Sequence, residues 1–359
     1  MTELYDFFRA VPKPELHLHL HGAVAPETLI DLAAKNGIPL PKGNVRDTLY
    51  ARKSGNKVQS ILPTLKIICQ SMVSQDDFAR VAYDIQKAAA DCGVRYREIF
   101  WNPTDHATIA QVSYETAVDG LIDGLKAAEK DFNIIGRLIP SIDREGSPEA
   151  AYEMVEWVVN HRRDEVIGLG MDYLEIGHPP EKFWKSYRLA AEHGLRRTAH
   201  AGEFLEPARN VETCLDLLDC ERIDHGYTIV DAPDLAARCI DEGIPFSVVP
   251  TNTTYIKTLA GEAFHKHHPI CKMGQMGLHI FPNSDDPPLH HTDPARAFAD
   301  MVTEFGFTLA DTRDFLSNAI DAAWVDDATK KDWKRAWLAE FDKQAEKLSL
   351  QSQIGNGHD

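Results

Sequence analysis

"YETAVDGLIDGLKAAEKDFNIIGRLIPSIDREGSPEAAYEMVEWVVNHRRDEVIGLGM" (residues 114–171) decides the fold class of this 359-residue chain. Residues 114–132 carry apolar side chains at helical spacing, and Ile134–Ile139 is a short β-like run. Residues 147–163 are helical again, with Ser147 as N-cap, Pro148 at the first helical position and Glu149 in the first turn. Val166–Met171 is β-like once more. Strands joined by whole helices must run parallel, because a parallel pair needs a crossover of a dozen or more residues. The alternation extends both ways. Glu15–Leu20, Arg97–Trp101, Arg196–Ala199, Arg222–Asp224, Pro245–Val249 and Leu278–Phe281 read as further strands, and 178–194 as a further helix stopped at Gly194. Eight strands make an α/β chain of the (β/α)8 TIM type the expected fold. An open doubly wound sheet is the rival, but no GxGxxG follows the first strand. Residues 22–96 are too many for one crossover and predict extra helices after strand one; "DATKKDWKRAWLAEFDKQAEKL" (327–348) predicts more at the C-terminus. We expect one domain over 1–350 and a polar tail over 351–359.

Composition narrows the partners. The chain holds 38 Lys plus Arg against 55 Asp plus Glu, a net charge of −17. Such a surface repels polyanions, which argues against nucleic acid. No apolar run approaches the roughly 18 residues of a membrane helix. The six cysteines have no CxxC spacing and read as reduced core thiols. The expectation is a cytoplasmic protein acting on a small molecule, and no sequence feature specifies an oligomeric state.

A barrel keeps its chemistry at the C-terminal ends of its strands. In "ELHLHLHGA" (15–23), His17, His19 and His21 alternate, so in an extended strand they share one face. That row reads as a three-histidine metal set, a two-histidine set with a spare, or a wet surface strand. His200 and Glu203 follow strand five, His225 follows strand six, and Asp285 with Asp286 follow strand eight. Two histidines two apart, a third histidine and an aspartate form a zinc-type donor set. Zinc lowers the pKa of a bound water to roughly 7. His225 could orient that water or take its proton, and Glu203 could give a proton to substrate. The combination suits hydrolysis. "EIGHPP" (175–180) puts Glu175 and His178 at the same mouth, and Trp101 ends strand two there. "LHH" (289–291) reads as a pocket edge, "HKHH" (265–268) as solvated surface, and Trp157, Trp184, Trp324, Trp333 and Trp337 as helix-borne core.

"PKPELHLHLHGA", "TAHAGE", "RIDHGY" and "NSDDP" resemble, in order, the motifs of the adenosine/adenine deaminase family of the amidohydrolase superfamily, across about residues 11–345. The resemblance implies a distorted barrel with one Zn2+, for which another divalent transition metal such as Fe2+ could substitute. By motif position His17, His19, His200 and Asp285 would bind the metal, Glu203 would protonate purine N1, His225 would activate or steer the attacking water, and Asp286 would bond N7. Asp285 would serve catalysis as well as the metal. "VIGLGMDYLEIG" has no lysine to bridge a second metal, and the H-x-E…P-C-x-x-C pattern of cytidine-type deaminases is missing.

"GMDYLEIGHPPEKF" (170–183) and "YREIFWNPTDHA" (96–107) are similar to the adenine branch; the adenosine branch has a glycine-containing turn at the position of Glu175, whose backbone N–H meets purine N3, and the resemblance implies that the Glu175 N–H could do likewise. Two departures fall at substrate-facing positions. His21 stands where the family carries an acid, and "VVPTNTTY" (248–255) replaces its C-P-x-S-N run. The expectation is a zinc-dependent aminohydrolase that converts a 6-aminopurine to the 6-oxopurine plus ammonia, with the free base favoured over the nucleoside. Adenosine, an N6-substituted adenine and other aminated heterocycles are the alternatives within enzymes. A non-catalytic metal-binding barrel is the alternative of another class, and metal content separates it.

Overall fold

The computed structural model describes residues 2–51, 57–251 and 267–355. Its strands are Lys13–Glu15 (β1), Val94–Trp101 (β2), Ile135–Asp143 (β3), Gly168–Asp172 (β4), Arg196–Ala201 (β5), Arg222–His225 (β6), Pro245–Val248 (β7) and His279–Pro282 (β8). They form one sheet in sequence order, and every neighbouring pair is parallel. The histidine stretch closes it. His19 N donates to Asp285 O at 3.0 Å and Asp285 N to His17 O at 3.2 Å. On the other side Leu20 N donates to Phe100 O at 2.9 Å and Phe100 N to Leu18 O at 2.7 Å. The chain is a (β/α)8 barrel of the TIM type.

Strand one differs from its expected span. Ladder pairing covers only Lys13–Glu15, and residues 18 and 19 make isolated bridges. The pairing register shifts between Lys13 and Pro14, where proline lacks an N–H. Beyond it the Asn283 side-chain oxygen accepts from Leu16 N and His17 N, at 2.9 and 3.2 Å, in place of ladder bonds. The alternation survives. Leu16, Leu18 and Leu20 are fully buried in the main core, while the histidines take the opposite face. Each leucine contributes about 1.5–3 kcal/mol of burial, enough together to hold a strand that buries three polar rings.

Other elements follow local signals. The helix Tyr114–Phe132 ends at Asn133 in the left-handed region, φ 53°. In Pro148–Asn160 the Ser147 hydroxyl accepts from Ala150 N. The helix expected over 178–194 starts late, as the 3-10 turn Pro180–Phe183 followed by Trp184–Glu192, because consecutive prolines block an earlier start. Four helices fill the segment after β1: Pro26–Asn36, Val45–Thr48, Lys57–Ser71 and Gln75–Ala90. The helix Asp327–Gly355 runs into the segment expected as a tail, and residues 356–359 lie outside the described residues. Among the described residues no helix is long and apolar enough to cross a membrane, and all six cysteines are free.

The tryptophan reading needs two corrections. Trp184 is 36% exposed on its helix. Trp324 lies outside a helix and packs its ring under the Arg222 guanidinium, 4.3 Å from the centroid.

Candidate active site

Strand register brings the polar strand ends to one level. His200 pairs with Asp224, Ala201 with His225, Asp143 with Asp172, and Leu18 with Asp285. His225 and Asp285 hold φ of 65° and 64°, in the left-handed region where a non-glycine residue is strained. Such strain costs on the order of 1–3 kcal/mol per residue and persists where surrounding bonds over-determine it. For Asp285 those bonds are the two that close the barrel.

The His17 tautomer follows from its outer partner, and His19 and His200 face carboxylates on the same outer side. Ser247 Oγ donates to Asp224 Oδ1 at 2.7 Å, so it accepts from His17 Nδ1 at 2.8 Å. The His17 proton is therefore on Nδ1, and Nε2 keeps its lone pair. That Nε2 is buried without a hydrogen-bond partner. His19 turns Nδ1 to Asp172 at 3.4 Å, and Asn102 Nδ2 holds the other Asp172 oxygen at 2.7 Å. His200 turns Nδ1 to Asp224 at 3.6 Å.

The inner nitrogens converge. His17 Nε2 and His19 Nε2 lie 3.4 and 3.2 Å from Asp285 Oδ1, and His19 Nε2 lies 3.1 Å from His200 Nε2. Ligand atoms at 2.0–2.1 Å from a tetrahedral zinc stand about 3.3 Å apart. Three imidazole nitrogens and one carboxylate at that spacing fit a zinc ion, and carboxylates behind metal-binding histidines raise their basicity. His225 also comes within 4.8 Å of His17 and His200.

The acid–base candidates stand beside this centre. His225 Nδ1 is 3.2 Å from the Tyr227 hydroxyl, which donates to Val249 O. Nδ1 thus carries the proton and leaves the Nε2 lone pair, 3.6 Å from Glu203 Oε2. Burial, then the neighbouring His17, holds the His225 pKa well below its ordinary value. Burial, then the Asp285 charge, pushes Asp286 up to about 7. Gly22 makes room for that carboxyl, since a Cβ there would stand 1.5 Å from Asp286 Oδ1.

One cavity joins them. His19, His21, His200, Glu203, His225, Asp285, Asp286 and His290 line it, with Ile61, Leu62 and Leu65 of the helix Lys57–Ser71 as an apolar wall. His17 sits beneath, fully buried.

The Glu175 side chain turns to the residues after β5 and away from the cavity. Its carboxylate accepts from Gly202 N, Glu203 N, Phe204 N and Asn210 Nδ2, at 2.9, 3.0, 3.4 and 2.8 Å. A carboxylate with no nearby cation takes up backbone N–H groups, and here they belong to the turn that carries Glu203. Trp101 is also not a lining residue; it is fully buried and stacked on Tyr114. His290 lines the cavity, whereas His291 bonds Tyr50 O. Of "HKHH", residues 265–266 lie outside the described residues, and His268 is buried rather than solvated, accepting from Ile270 N. Residues 252–255 of "VVPTNTTY" also lie outside the described residues.

Sequence reasoning missed Asp172, Asp224 and Ser247, which support the histidines from behind. The inward alternation of Thr198/His200 and Arg222/Asp224 was the available signal. The apolar wall had none, because its helix reaches the mouth only through tertiary packing.

Comparison with known proteins agrees with this geometry. A family model described as adenosine deaminase matches residues 12–336. The chain is 34% identical over 342 residues to an adenine deaminase of Streptomyces coelicolor, covering 95% of this chain and 98% of that one. Among solved structures it is similar to a zinc-bound amidohydrolase of Burkholderia ambifaria, with 46% identity, a TM-score of 0.93 and coverage of 98% and 96%. It is also similar to an adenine deaminase of Arthrobacter aurescens, with 31% identity, a TM-score of 0.84 and coverage of 94% and 100%.

Proposed function

Because this chain belongs to the adenosine deaminase family, we propose that it is a zinc-dependent hydrolase that deaminates adenine, releasing ammonia and leaving the 6-oxopurine. The observation that carries the reading is the convergence of His17 Nε2 and His19 Nε2 on Asp285 Oδ1, with His200 Nε2 against His19 Nε2 and with Glu203 and His225 beside them. Relatives named adenine deaminase over nearly their whole length support adenine as the substrate.

His17, His19, His200 and Asp285 would hold the metal. Zinc bound there would acidify a water from 15.7 to roughly 7 and so supply the nucleophile. His225 presents Nε2 to the cavity, where it would orient an attacking water or accept its proton, and the Tyr227 hydroxyl holds its tautomer. Glu203 gives a proton to the ring nitrogen next to the carbon under attack, which lets electrons move onto the ring. Glu175 holds the Glu203 backbone in place. Asp286, whose pKa burial raises, donates to a second ring nitrogen. Ile61, Leu62 and Leu65 cover an apolar ring face and exclude water.

The free cysteines and acidic charge support a reducing, cytoplasmic location and a small-molecule rather than nucleic-acid partner. The deciding experiment is a screen of the zinc-loaded protein over adenine, adenosine, N6-substituted adenines, other aminopurines and pterins, reading release of ammonia or, from N6-substituted adenines, of the substituted amine. Adenine should give the highest kcat/KM. A higher value for any other class would replace adenine, and no release from any would remove the enzymatic reading.

A further inference from the structure

His21 lines the cavity but is neither a candidate metal ligand nor part of the acid–base set. Its Nε2 is committed elsewhere, 2.8 Å from His106 Nε2. His106 is fully buried, and its other nitrogen, Nδ1, is 3.4 Å from Cys69 Sγ. The three residues come from separate elements: the turn after β1, the π-helical turn His106–Ala110 after β2, and the helix Lys57–Ser71. The Phe78 ring packs edge-on against His106, 4.7 Å between centroids.

We propose that Cys69 and His106 are positioning residues that fix His21 as a hydrogen-bond donor toward the substrate, so that this site selects a purine with an unprotonated ring nitrogen at that edge. The proposal rests on the purine-deaminase reading of the cavity. Two imidazole nitrogens 2.8 Å apart share one proton, and the far end of the chain sets which ring owns it. The Cys69 thiol has one proton, burial keeps it on sulfur, and among the described residues its hydrogen-bond partner is His106 Nδ1. His106 Nδ1 accepts, so the His106 proton is on Nε2 and is donated to His21 Nε2. The His21 proton is then on Nδ1, the nitrogen left for the cavity. A group held as a donor pairs with an acceptor and leaves a substrate N–H unmatched at that edge.

The same three side chains offer nitrogen and sulfur donors within 4.8 Å of one another. They do not converge as metal ligands, because His106 turns its two nitrogens to opposite partners.

The first test needs no turnover. In zinc-loaded, full-length protein with 15N-labelled histidine, two-bond 1H–15N correlation reads each ring's tautomer, and His21→Gln assigns the His21 signals. His21 should be the Nδ1–H tautomer in the wild type and in Cys69→Ser, and should lose that single tautomer in Cys69→Ala. An Nε2–H His21 in the wild type, or no change in Cys69→Ala, overturns the proposal, as does a second, Cys69-dependent metal per chain. The second test compares kcat/KM for adenine with 3-deazaadenine, which lacks the N3 acceptor on the edge far from C6. It should lose about tenfold, the size of one neutral hydrogen bond. His106→Leu should shrink that ratio to within about twofold and His106→Gln should keep it, whereas general damage would slow all substrates alike. An unchanged ratio in His106→Leu overturns the relay. Failure to turn over adenine would instead count against the proposed reaction, with the tautomer result standing on its own.

Discussion

Replacing Glu175 by glutamine tests how the fold positions the proton donor. The carboxylate is 1% exposed and accepts four hydrogen bonds, two on each oxygen. Glutamine must place an NH2 where one oxygen stood. Set at the Oε2 position, it opposes Glu203 N and Phe204 N and orphans both. Set at the Oε1 position, it orphans Gly202 N alone, because the Asn210 amide can flip to accept. The second orientation is cheaper, yet one buried N–H without a partner still costs about 1–3 kcal/mol. Losing charge assistance on the remaining bonds brings the total to about 2–4 kcal/mol. Gly202 sits at φ 68° between His200 and Glu203, so the turn that yields is the one carrying the acid. The expected result is a thermal midpoint lower by several degrees. Zinc content should be unchanged, and kcat for adenine should fall by about tenfold or more, since small displacements of a catalytic group are that costly. Melting curves, metal analysis and ammonia-release kinetics read the three quantities. Wild-type kcat in a protein with a lowered melting point would refute the positioning argument. Lost zinc would show that Glu175 supports the metal end instead.

Glu203→Gln should abolish turnover while metal analysis finds zinc retained, because it removes a proton donor and no ligand; residual activity above about 1% of wild type would refute the role. Asp224→Asn should weaken zinc binding about 10–100-fold in a chelator competition, since Asp224 orients His17 through Ser247 and faces His200 Nδ1; unchanged affinity would contradict that reading. Asp105 predicts a pH effect away from the metal. Burial pushes it up to about 7 despite the Tyr173 hydroxyl at 2.5 Å, against about 3.9 in the unfolded chain. The folded chain therefore holds this proton more tightly, and stability from the neutral acid is lost as pH rises from about 4 through 7. Asp105→Asn should flatten that part of the denaturation profile; an identical slope in both proteins would contradict it.

The sequence carried the barrel because helix caps and β-like runs alternate with enough local strength to be read, as Ser147 and Asn133 show. It carried the rim because strand ends are short and their polar residues stand out against apolar neighbours. It misplaced strand one, whose inner bonds go to the Asn283 side chain from the far end of the barrel. The task of the Glu175 side chain could not be read from the sequence, because its four partners are 27–35 residues away. The pairing of His106 and Cys69 with His21 was invisible for the same reason: His106 ends a quoted stretch and Cys69 lies in none, and only packing brings them to His21.

If three histidines and an aspartate hold one zinc that serves adenine hydrolysis, activity must follow zinc one to one. Metal-stripped protein titrated with zinc, with ammonia release from adenine followed at each addition, tests it most directly. Activity should rise linearly and stop at one zinc per chain, with one ammonia and one 6-oxopurine formed per adenine. Full activity without zinc-group metal, or no activity at one zinc per chain, would contradict it.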